Sequence, residues 1–259
     1  MPREFSAANA GSFSNAGVSV GALASLFPAP FFTGATQNVY AATRPLPFSL
    51  GGVSLRIGGS LTFETNRWVY SQVGSQEAPL VFVGPTQVNF QVPQGIIPGD
   101  SVPAELRRPD GSTLVTTLRI VPTAPGIFTV LMNGQGQAAA LNQDNSQNGN
   151  PQSILGARPA QRWSVIQIYA TGAGETDLPL LPGEAAPASG NPLVLTRVTP
   201  TVTIGGQTAR VLFSGMAPGW VGLWQINAEI PASVTPGSSV PMSITADGVT
   251  SNSVTIAVE

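Results

Sequence analysis

Apolar and polar residues alternate regularly at the start of two similar stretches of this chain, residues 87–103 and 225–241. A period of two places apolar side chains on one face of a β-strand and polar side chains on the other, as in a half-buried antiparallel strand. The polar face carries Gln87, Asn89 and Gln91 in the first copy and Gln225, Asn227 and Glu229 in the second. Because Gln-x-Asn recurs at the same strand positions, we predict that it has a shared structural role, such as bonding to a neighbouring loop.

The similarity between the two copies extends beyond these stretches. Equivalent positions are offset by 138 residues, as from Pro98 to Pro236. Each copy has a later Asp-Gly pair, at 110–111 and at 247–248, which predicts a tight hairpin because both residues tolerate a positive φ angle. The Pro-Gly pairs at 98–99 and 236–237 predict type II turns with glycine at positive φ.

Two repeats of about 100 residues, each with several short alternating strands, are typical of immunoglobulin-like folds. We therefore predict an all-β chain with two tandem immunoglobulin-like β-sandwich domains joined by a β-hairpin junction. The predicted parts are an N-terminal extension (1–16), a first domain (17–122), a hairpin and polar-loop junction (123–157) and a second domain (158–259). The extension is apolar and is a possible strand-exchange segment, able to add a strand to a neighbour's sheet.

The first repeat contains about nine residues more than the second between its Ile-Gly-Gly and Gln-x-Asn motifs. We interpret these residues as an extended hairpin. Trp224 lies on an apolar strand face and is predicted to be part of the core, whereas exposed aromatic residues on a weakly charged surface mark association sites. The predicted interaction residues are Phe5, Phe13, Trp68, Tyr70 and Trp220.

The composition limits which kinds of functional site the chain can form. All 11 basic residues are Arg, and the chain has no Cys, His or Lys. These absences exclude the usual zinc sites, a Ser-His-Asp triad and a lysine Schiff base, so we predict no catalytic residues and no cofactor. Only 9% of residues are charged, with a net charge of −2, which argues against a nucleic-acid partner. No apolar run approaches the ~18 residues of a membrane helix, so membrane insertion is not expected.

One segment has the spacing of a cation-binding loop. Oxygen-bearing side chains alternate at Asn142, Asp144, Ser146 and Asn148. Alternating oxygens are what a calcium loop offers, but this segment has a single carboxylate and no closing Glu. The composition therefore favours an Asx-turn loop over a weak calcium site.

Several phrases resemble a known family. "PTQVNFQVP", "APGIFT", "GQGQAAALNQD", "IYATGAGET" and "PGWVGLWQINAEIP" are similar to the Solibacter-type C-terminal domain found at the ends of large exported acidobacterial proteins. The resemblance covers nearly the whole chain from about residue 8. It implies an extracellular, tandem immunoglobulin-like (IPT/TIG-like) module without assigned catalysis, and it brings no functional residues with it.

The resulting hypothesis is a non-catalytic structural or adhesive protein, extracellular or at the cell surface. In its sharper form, the chain self-assembles into a surface fibre by strand addition. The alternative is a carbohydrate-binding accessory module that uses Trp68, Tyr70 and Trp220 to bind polysaccharide, or a passive spacer domain.

Overall fold

The computed structural model describes residues 5–28 and 32–259, and the regular elements of this part of the chain are all β-strands. It contains no helix that could span a membrane. The first eleven strands are β1 (Phe5–Asn9), β2 (Val18–Ser19), β3 (Leu23–Pro28), β4 (Val39–Tyr40), β5 (Ser49–Leu50), β6 (Val53–Glu64), β7 (Arg67–Glu77), β8 (Leu80–Gly84), β9 (Gln87–Gln91), β10 (Gly99–Arg107) and β11 (Thr113–Val121). The next nine are β12 (Gly126–Ile127), β13 (Ala140–Asn142), β14 (Val165–Thr171), β15 (Thr201–Ile204), β16 (Gln207–Met216), β17 (Trp224–Glu229), β18 (Gly237–Ala246), β19 (Val249–Thr250) and β20 (Val254–Val258).

The first eleven strands form a β-sandwich, which we call the first sandwich. Its front sheet has the order β1-β3-β9-β8-β4. The second sheet has the order β2-β11-β10-β6-β5, with β7 paired to β6. The inward residues of both sheets, such as Leu26, Phe90, Leu55 and Leu106, form one hydrophobic core. Burial of this alternating apolar row is what commits the segments to strands rather than loops.

The remaining strands form a second sandwich around a separate core that includes Trp224 and Ile226. Its ladder runs β12-β14-β17-β16-β15-β18-β19, with β13 also paired to β14 and β20 to β18. The strand β16 belongs to both layers, because residues 207–209 pair with β15 and residues 210–216 pair with β17. A strand that switches sheets in this way closes the corner of a sandwich. The prediction of an all-β chain of tandem sandwiches is confirmed.

The N-terminal stretch is not an extension outside the repeats. Residues 5–9 pair antiparallel with β3 of the same chain, with Phe5 opposite Pro28 and Asn9 opposite Ala24. Phe5 belongs to the first core and Ala7 packs against it, so the segment buries apolar side chains within the first sandwich. Residues 1–4 of the predicted extension lie outside the described residues. The strand β1 is therefore the edge strand of the front sheet of its own chain.

The junction also differs from the prediction. Residues 126–142 carry β12 and β13, which pair with β14 of the second sandwich. Ile127, Ala138 and Ala140 belong to the second core. The segment is therefore built into the second sandwich, because its apolar side chains need a core and the open edge of β14 offers one.

Of the predicted turns, only the Asp-Gly turn at 247–248 forms as expected, since at 110–111 Gly111 alone has a positive φ and five residues connect Arg107 to Thr113. Asp247 and Gly248 both have positive φ (49° and 75°) and connect Ala246 to Val249, as the Asp-Gly signal predicted. Gly99 and Gly237 are instead the first residues of β10 and β18, and neither has a positive φ. Each pairs with a neighbouring strand, Gly99 with Ile120 and Gly237 with Val258, which requires extended backbone. The predicted type II turns at these positions are wrong.

The two sandwiches meet end to end through hydrogen bonds. The Leu23 amide donates to Oγ1 of Thr171 (2.8 Å), and this hydroxyl donates to the Gly222 carbonyl (2.9 Å). Oε1 of Gln91 accepts a hydrogen bond from the Gly183 amide (2.7 Å). Gln91, the last residue of the predicted polar row, thus does bond to a neighbouring loop, and these contacts fix the front sheet against the second sandwich.

Candidate functional site

The structure separates the two N-terminal aromatic residues that were predicted to interact with partners. Phe5 is 5% exposed, and its ring centroid lies 5.5 Å from that of Phe32 inside the first core. Its predicted role as an interaction residue is wrong, because β1 turns this side chain inward. Phe13 is exposed and lies 6.0 Å, between ring centroids, from Phe27 of β3.

Trp68 and Tyr70 lie on a long hairpin formed by β6 and β7, as predicted. The hairpin turns at Thr65 and Asn66, which both have positive φ. The Trp68 ring lies 5.2 Å from that of Phe63, which is directly opposite on β6. The Tyr70 hydroxyl donates to the Gly58 carbonyl (3.1 Å), and burial raises the pKa of this tyrosine above its usual value. The hairpin therefore presents the paired rings of Phe63 and Trp68, with the Tyr70 hydroxyl bonded to its own backbone.

Trp220 lies in the second sandwich, in the loop between β16 and β17, and is 54% exposed. The guanidinium of Arg44 lies 5.0 Å from its ring centroid, in a cation–π contact. The hairpin residues Trp68 and Tyr70 belong to the first sandwich, in the sheet opposite the front sheet. The three aromatic residues that were predicted as one sugar-binding set therefore do not form one surface.

The candidate calcium loop is held by its own hydrogen bonds. Oδ1 of Asn148 accepts from Nε2 of Gln137 (3.0 Å) and from the Ala257 amide (3.0 Å), and the Asn148 side chain is buried. Oδ1 of Asn142 accepts from Nδ2 of Asn148 (2.9 Å), and Oδ1 of Asp144 accepts from the hydroxyl and amide of Ser146. These bonds lower the pKa of Asp144, with the Ser146 hydroxyl as the largest cause. The oxygens serve turn formation, so the loop is an Asx-turn network.

A cleft of about 550 Å³ lies between the two sandwiches, beside residues 121–125. Most of its lining is apolar, and several of its polar groups are already bonded. Arg119 pairs with Asp100 (2.9 Å), and Asp247 accepts a hydrogen bond from Thr123 (2.8 Å). The cleft therefore offers volume but few free groups for recognising a ligand.

The outer face of the front sheet has a different character. Val88 and Phe90 of β9 point into the core, so Gln87 and Asn89 point outward. In the register of the sheet, Asn89 lies opposite Ser25 of β3 on one side and Phe82 of β8 on the other. Phe82 in turn lies opposite Tyr40 of β4. One row of side chains thus crosses the outer face: Ser25, Asn89, Phe82 and Tyr40.

The amide groups at the centre of this row have a fixed orientation. Oδ1 of Asn89 accepts two hydrogen bonds, from Oγ of Ser25 (2.9 Å) and from Nε2 of Gln87 (2.7 Å). Because Oδ1 of Asn89 and Nε2 of Gln87 are used in these bonds, the other polar side-chain atoms of the pair are Nδ2 of Asn89 and Oε1 of Gln87. Among residues 5–28 and 32–259, neither atom has a hydrogen-bond partner. The face therefore offers one oriented donor beside one oriented acceptor.

Aromatic rings flank this amide pair on both sides. On one side, the ring centroids of Tyr40 and Phe82 are 4.9 Å apart, and Tyr40 is 68% exposed. On the other side, Phe27 follows Leu26, which pairs with Val88, so Phe27 lies beside Gln87. We call the set Phe27, Tyr40, Phe82, Gln87 and Asn89 the first face. All five of its side chains are neutral at pH 7, so its chemistry is stacking and hydrogen bonding, without ionic contacts.

The second sandwich closes one end of the front sheet. Gly222 approaches so closely that a Cβ at this position would lie 3.0 Å from Cγ of Leu23. Trp220 belongs to the same loop, and its partner Arg44 lies four residues after Tyr40. The loop therefore stands at the end of the front sheet where Leu23 and Gln91 pair, whereas Tyr40 on the outer face is mostly exposed.

Comparisons with known proteins do not assign the chain to a family or a function. No protein-family model and no curated protein matches the chain. The solved structures with some similarity include a surface glycan-binding protein of a Bacteroides ovatus mixed-linkage glucan utilization locus, in complex with a mixed-linkage heptasaccharide (TM-score 0.29, 14% identity, covering 94% of this chain and 42% of that one). Others are a surface glycan-binding protein from Prevotella bryantii (TM-score 0.25, 8% identity, 99% and 41%) and the I9–I11 tandem of titin (TM-score 0.21, 8% identity, 93% and 62%). The chain spans about two fifths of the first two. At TM-scores this low, the ligands of these proteins have no bearing on this chain.

Sequence reasoning missed Tyr40, Phe82 and Phe27. Alternation identified the outward position of Asn89, but the neighbours of β9 are set by sheet order, which a single strand does not reveal. The available signal was the phrase "VFVG" at 81–84, where Phe82 precedes the two-residue turn to Gln87.

Proposed function

We propose that this chain is a non-catalytic carbohydrate-binding module that holds a neutral, extended polysaccharide on the first face. The observation that carries the proposal is the oriented donor–acceptor pair of Asn89 and Gln87 between exposed aromatic rings. The proposal retains the carbohydrate-binding alternative from the sequence but moves the site away from Trp68, Tyr70 and Trp220.

The chemistry of a sugar matches this arrangement. A pyranose ring has a flat C–H surface, which stacks on the electron-rich face of an aromatic ring such as Tyr40. Its hydroxyl groups both donate and accept hydrogen bonds. Nδ2 of Asn89 would donate to one hydroxyl, and Oε1 of Gln87 would accept from its neighbour. Because both amides are held by intrastrand and cross-strand bonds, little side-chain entropy would be lost on binding.

Two features support a neutral and extended ligand. The first face contains no ionised side chain, so an acidic polysaccharide would find no paired charge there. The surface is the open side of a β-sheet and not a deep pocket, which suits a chain that lies along the strands.

Location and family belong to the same proposal. The resemblance to the Solibacter-type C-terminal domain supports an extracellular or cell-surface position, and membership of that family is proposed with it. The fibre hypothesis relied on residues of the N-terminal stretch as a donated strand. In the structure, β1 pairs with β3 of its own chain, which favours the carbohydrate-binding alternative over the fibre.

The proposed site predicts the effect of Tyr40→Ala. We expect this change to weaken polysaccharide binding at least about tenfold, since it removes the most exposed stacking ring of the first face. The stability of the fold should stay unchanged, because the ring is mostly in solvent. Binding would be measured by affinity electrophoresis in gels containing hydroxyethyl cellulose, xylan or glucomannan.

Two variants serve as controls. Trp163→Ala removes a ring that is 71% exposed but lies at the start of β14, away from the first face, so it should leave binding unchanged. Trp68→Ala tests the hairpin. If Trp68→Ala abolished binding while Tyr40→Ala did not, the site would be on the hairpin and the first face would be excluded. If the unmutated chain were retarded in none of these gels, the carbohydrate-binding proposal itself would be rejected.

A further inference from the structure

We infer that the second sandwich carries a second binding face equivalent to the first, so that the chain binds one long polysaccharide at two places. The inference rests on the proposed function and specifies its substrate class, a polymer long enough to reach both sandwiches. The strand registers of the two sandwiches show that a surface is repeated as well as a fold.

The register of the second sandwich reproduces that of the first. In the first, Phe82 lies opposite Asn89 and Gly84 lies opposite Gln87. In the second, the same pairs are Phe213 with Asn227 and Gly215 with Gln225. A β-bulge precedes the phenylalanine in both sheets, at residue 81 and at residue 212. Because the loops between these strands differ in length, the constant offset of 138 residues does not relate Phe82 to Phe213, and the match appears only in three dimensions.

The orientation of the amides is also repeated. Nε2 of Gln225 donates to Oδ1 of Asn227 (2.9 Å), as Nε2 of Gln87 does to Oδ1 of Asn89 (2.7 Å). In the part of the chain that the structure describes, Nδ2 of Asn227 and Oε1 of Gln225 have no hydrogen-bond partner. The second sheet therefore presents the same donor beside the same acceptor.

The aromatic surroundings match as well. Tyr169 of β14 lies opposite Gln225, in the position that Phe27 of β3 occupies beside Gln87. Each phenylalanine of β8 and β16 lies over the glycine two residues later. A Cβ at Gly84 would lie 2.8 Å from Cζ of Phe82, and a Cβ at Gly215 would lie 2.9 Å from Cζ of Phe213. Because glycine has no side chain, each phenylalanine ring can lie flat against its sheet. We call Tyr169, Phe213, Gln225 and Asn227 the second face.

The pattern of change between the copies favours a role in binding. The core positions next to the amides differ between the two copies. Val88 of the first copy corresponds to Ile226 of the second, and Phe90 corresponds to Ala228. Of the three positions in the polar row, the first two are Gln and Asn in both copies, and the third is Gln91 in one and Glu229 in the other. In each copy one hydrogen bond joins the two amides, and it leaves Nδ2 of the Asn and Oε1 of the Gln without a partner among the described residues. Identical outward amides beside a changed core are therefore expected where the amides contact a ligand.

The two faces lie on sheets that meet end to end. The hydrogen bond from Leu23 to Thr171 joins the start of β3 to the end of β14. Ser25, beside Asn89, is two residues from this bond, and Gln167, beside Asn227, is four residues from it. Six residues of strand span about 20 Å, so a polymer must be longer than this to reach from one amide pair to the other. Binding at one face would then raise the local concentration of the polymer at the other.

The test uses one isosteric change at each face, Asn89→Asp and Asn227→Asp. Either change keeps Oδ1 as an acceptor and removes the Nδ2 donor. Cellotetraose, xylotetraose and mannotetraose are short enough to occupy one face. In titration calorimetry with the tetrasaccharide of the polymer that retards the chain, we expect close to two sites per chain, and close to one in each variant. In the polysaccharide gels, each variant should lose at least about tenfold in affinity, and the double variant should lose binding entirely.

The outcomes separate this inference from the proposed function. One site per chain, abolished by Asn89→Asp and untouched by Asn227→Asp, would overturn the second face while the first face remained. One site lost only in Asn227→Asp would overturn the equivalence of the faces. Failure of the unmutated chain to bind any tetrasaccharide or polysaccharide would reject the proposed function and this inference together.

Discussion

Replacing Trp224 by Ala is expected to destabilise the second sandwich by about 3–5 kcal/mol, the usual cost of removing a large aromatic side chain from a core. Trp224 is 1% exposed, and its apolar neighbours in the second core would be left around a cavity. Its Nε1 donates to Oγ of Ser214 (2.9 Å), but this hydroxyl keeps its contact with Thr196 (2.6 Å). The loss should therefore come from the cavity and lost apolar burial more than from the hydrogen bond. Urea unfolding followed by circular dichroism measures the change.

Trp220→Ala is the matched control, because it removes the same side chain from the preceding loop. Its ring is more than half exposed and its main contact is with Arg44, so the expected loss is within about 1 kcal/mol. If Trp224→Ala prevents folding, Trp224→Phe leaves a smaller cavity and keeps the effect measurable. Equal stability of the two alanine variants would contradict the core position of Trp224.

Gly172→Ala is the second change with a large expected effect. Gly172 has a φ of 87°, and a Cβ at this position would overlap the carbonyl oxygen of Ala124. This carbonyl accepts a hydrogen bond from Nδ2 of Asn9 (2.7 Å), which joins β1 of the first sandwich to the linker between β11 and β12 (residues 122–125). The left-handed backbone costs a residue with a side chain about 1–2 kcal/mol, and the clash with backbone adds about 1–3 kcal/mol. We expect the linker to be displaced and cleavage by a protease near residues 122–126 to become faster.

Gly206→Ala provides the comparison. Gly206 has a similar φ of 79°, but a Cβ there would have no atom within 4 Å among the described residues. The substitution should lower the free energy of unfolding only by the backbone strain of about 1–2 kcal/mol, and the linker should stay protected from the protease. If both variants were cleaved at the same rate as the unmutated chain, the tight contact between Gly172 and Ala124 would not govern the junction.

The internal repeat was visible in the sequence, but its meaning changed with the structure. The amide row of Gln and Asn indicated a shared structural role, and Gln91 does bond to a loop of the second sandwich. Gln87 and Asn89 instead bond to each other and to Ser25, and they present free groups outward. A role in binding could not be inferred earlier, because the aromatic neighbours Phe82 and Tyr40 belong to other strands.

Alternation of apolar and polar residues determined the strands, the core position of Trp224 and the all-β class, because a period of two is a local property of the chain. The Asp-Gly turn at 247–248 and the long hairpin of Trp68 were equally local. Sheet order, register and the use of β1 within its own sheet depend on residues far apart in sequence, and only the tertiary structure decided them. For the same reason, the sequence showed that the Gln and Asn positions recur, whereas the fold decided which rings lie beside them and which of their atoms remain free.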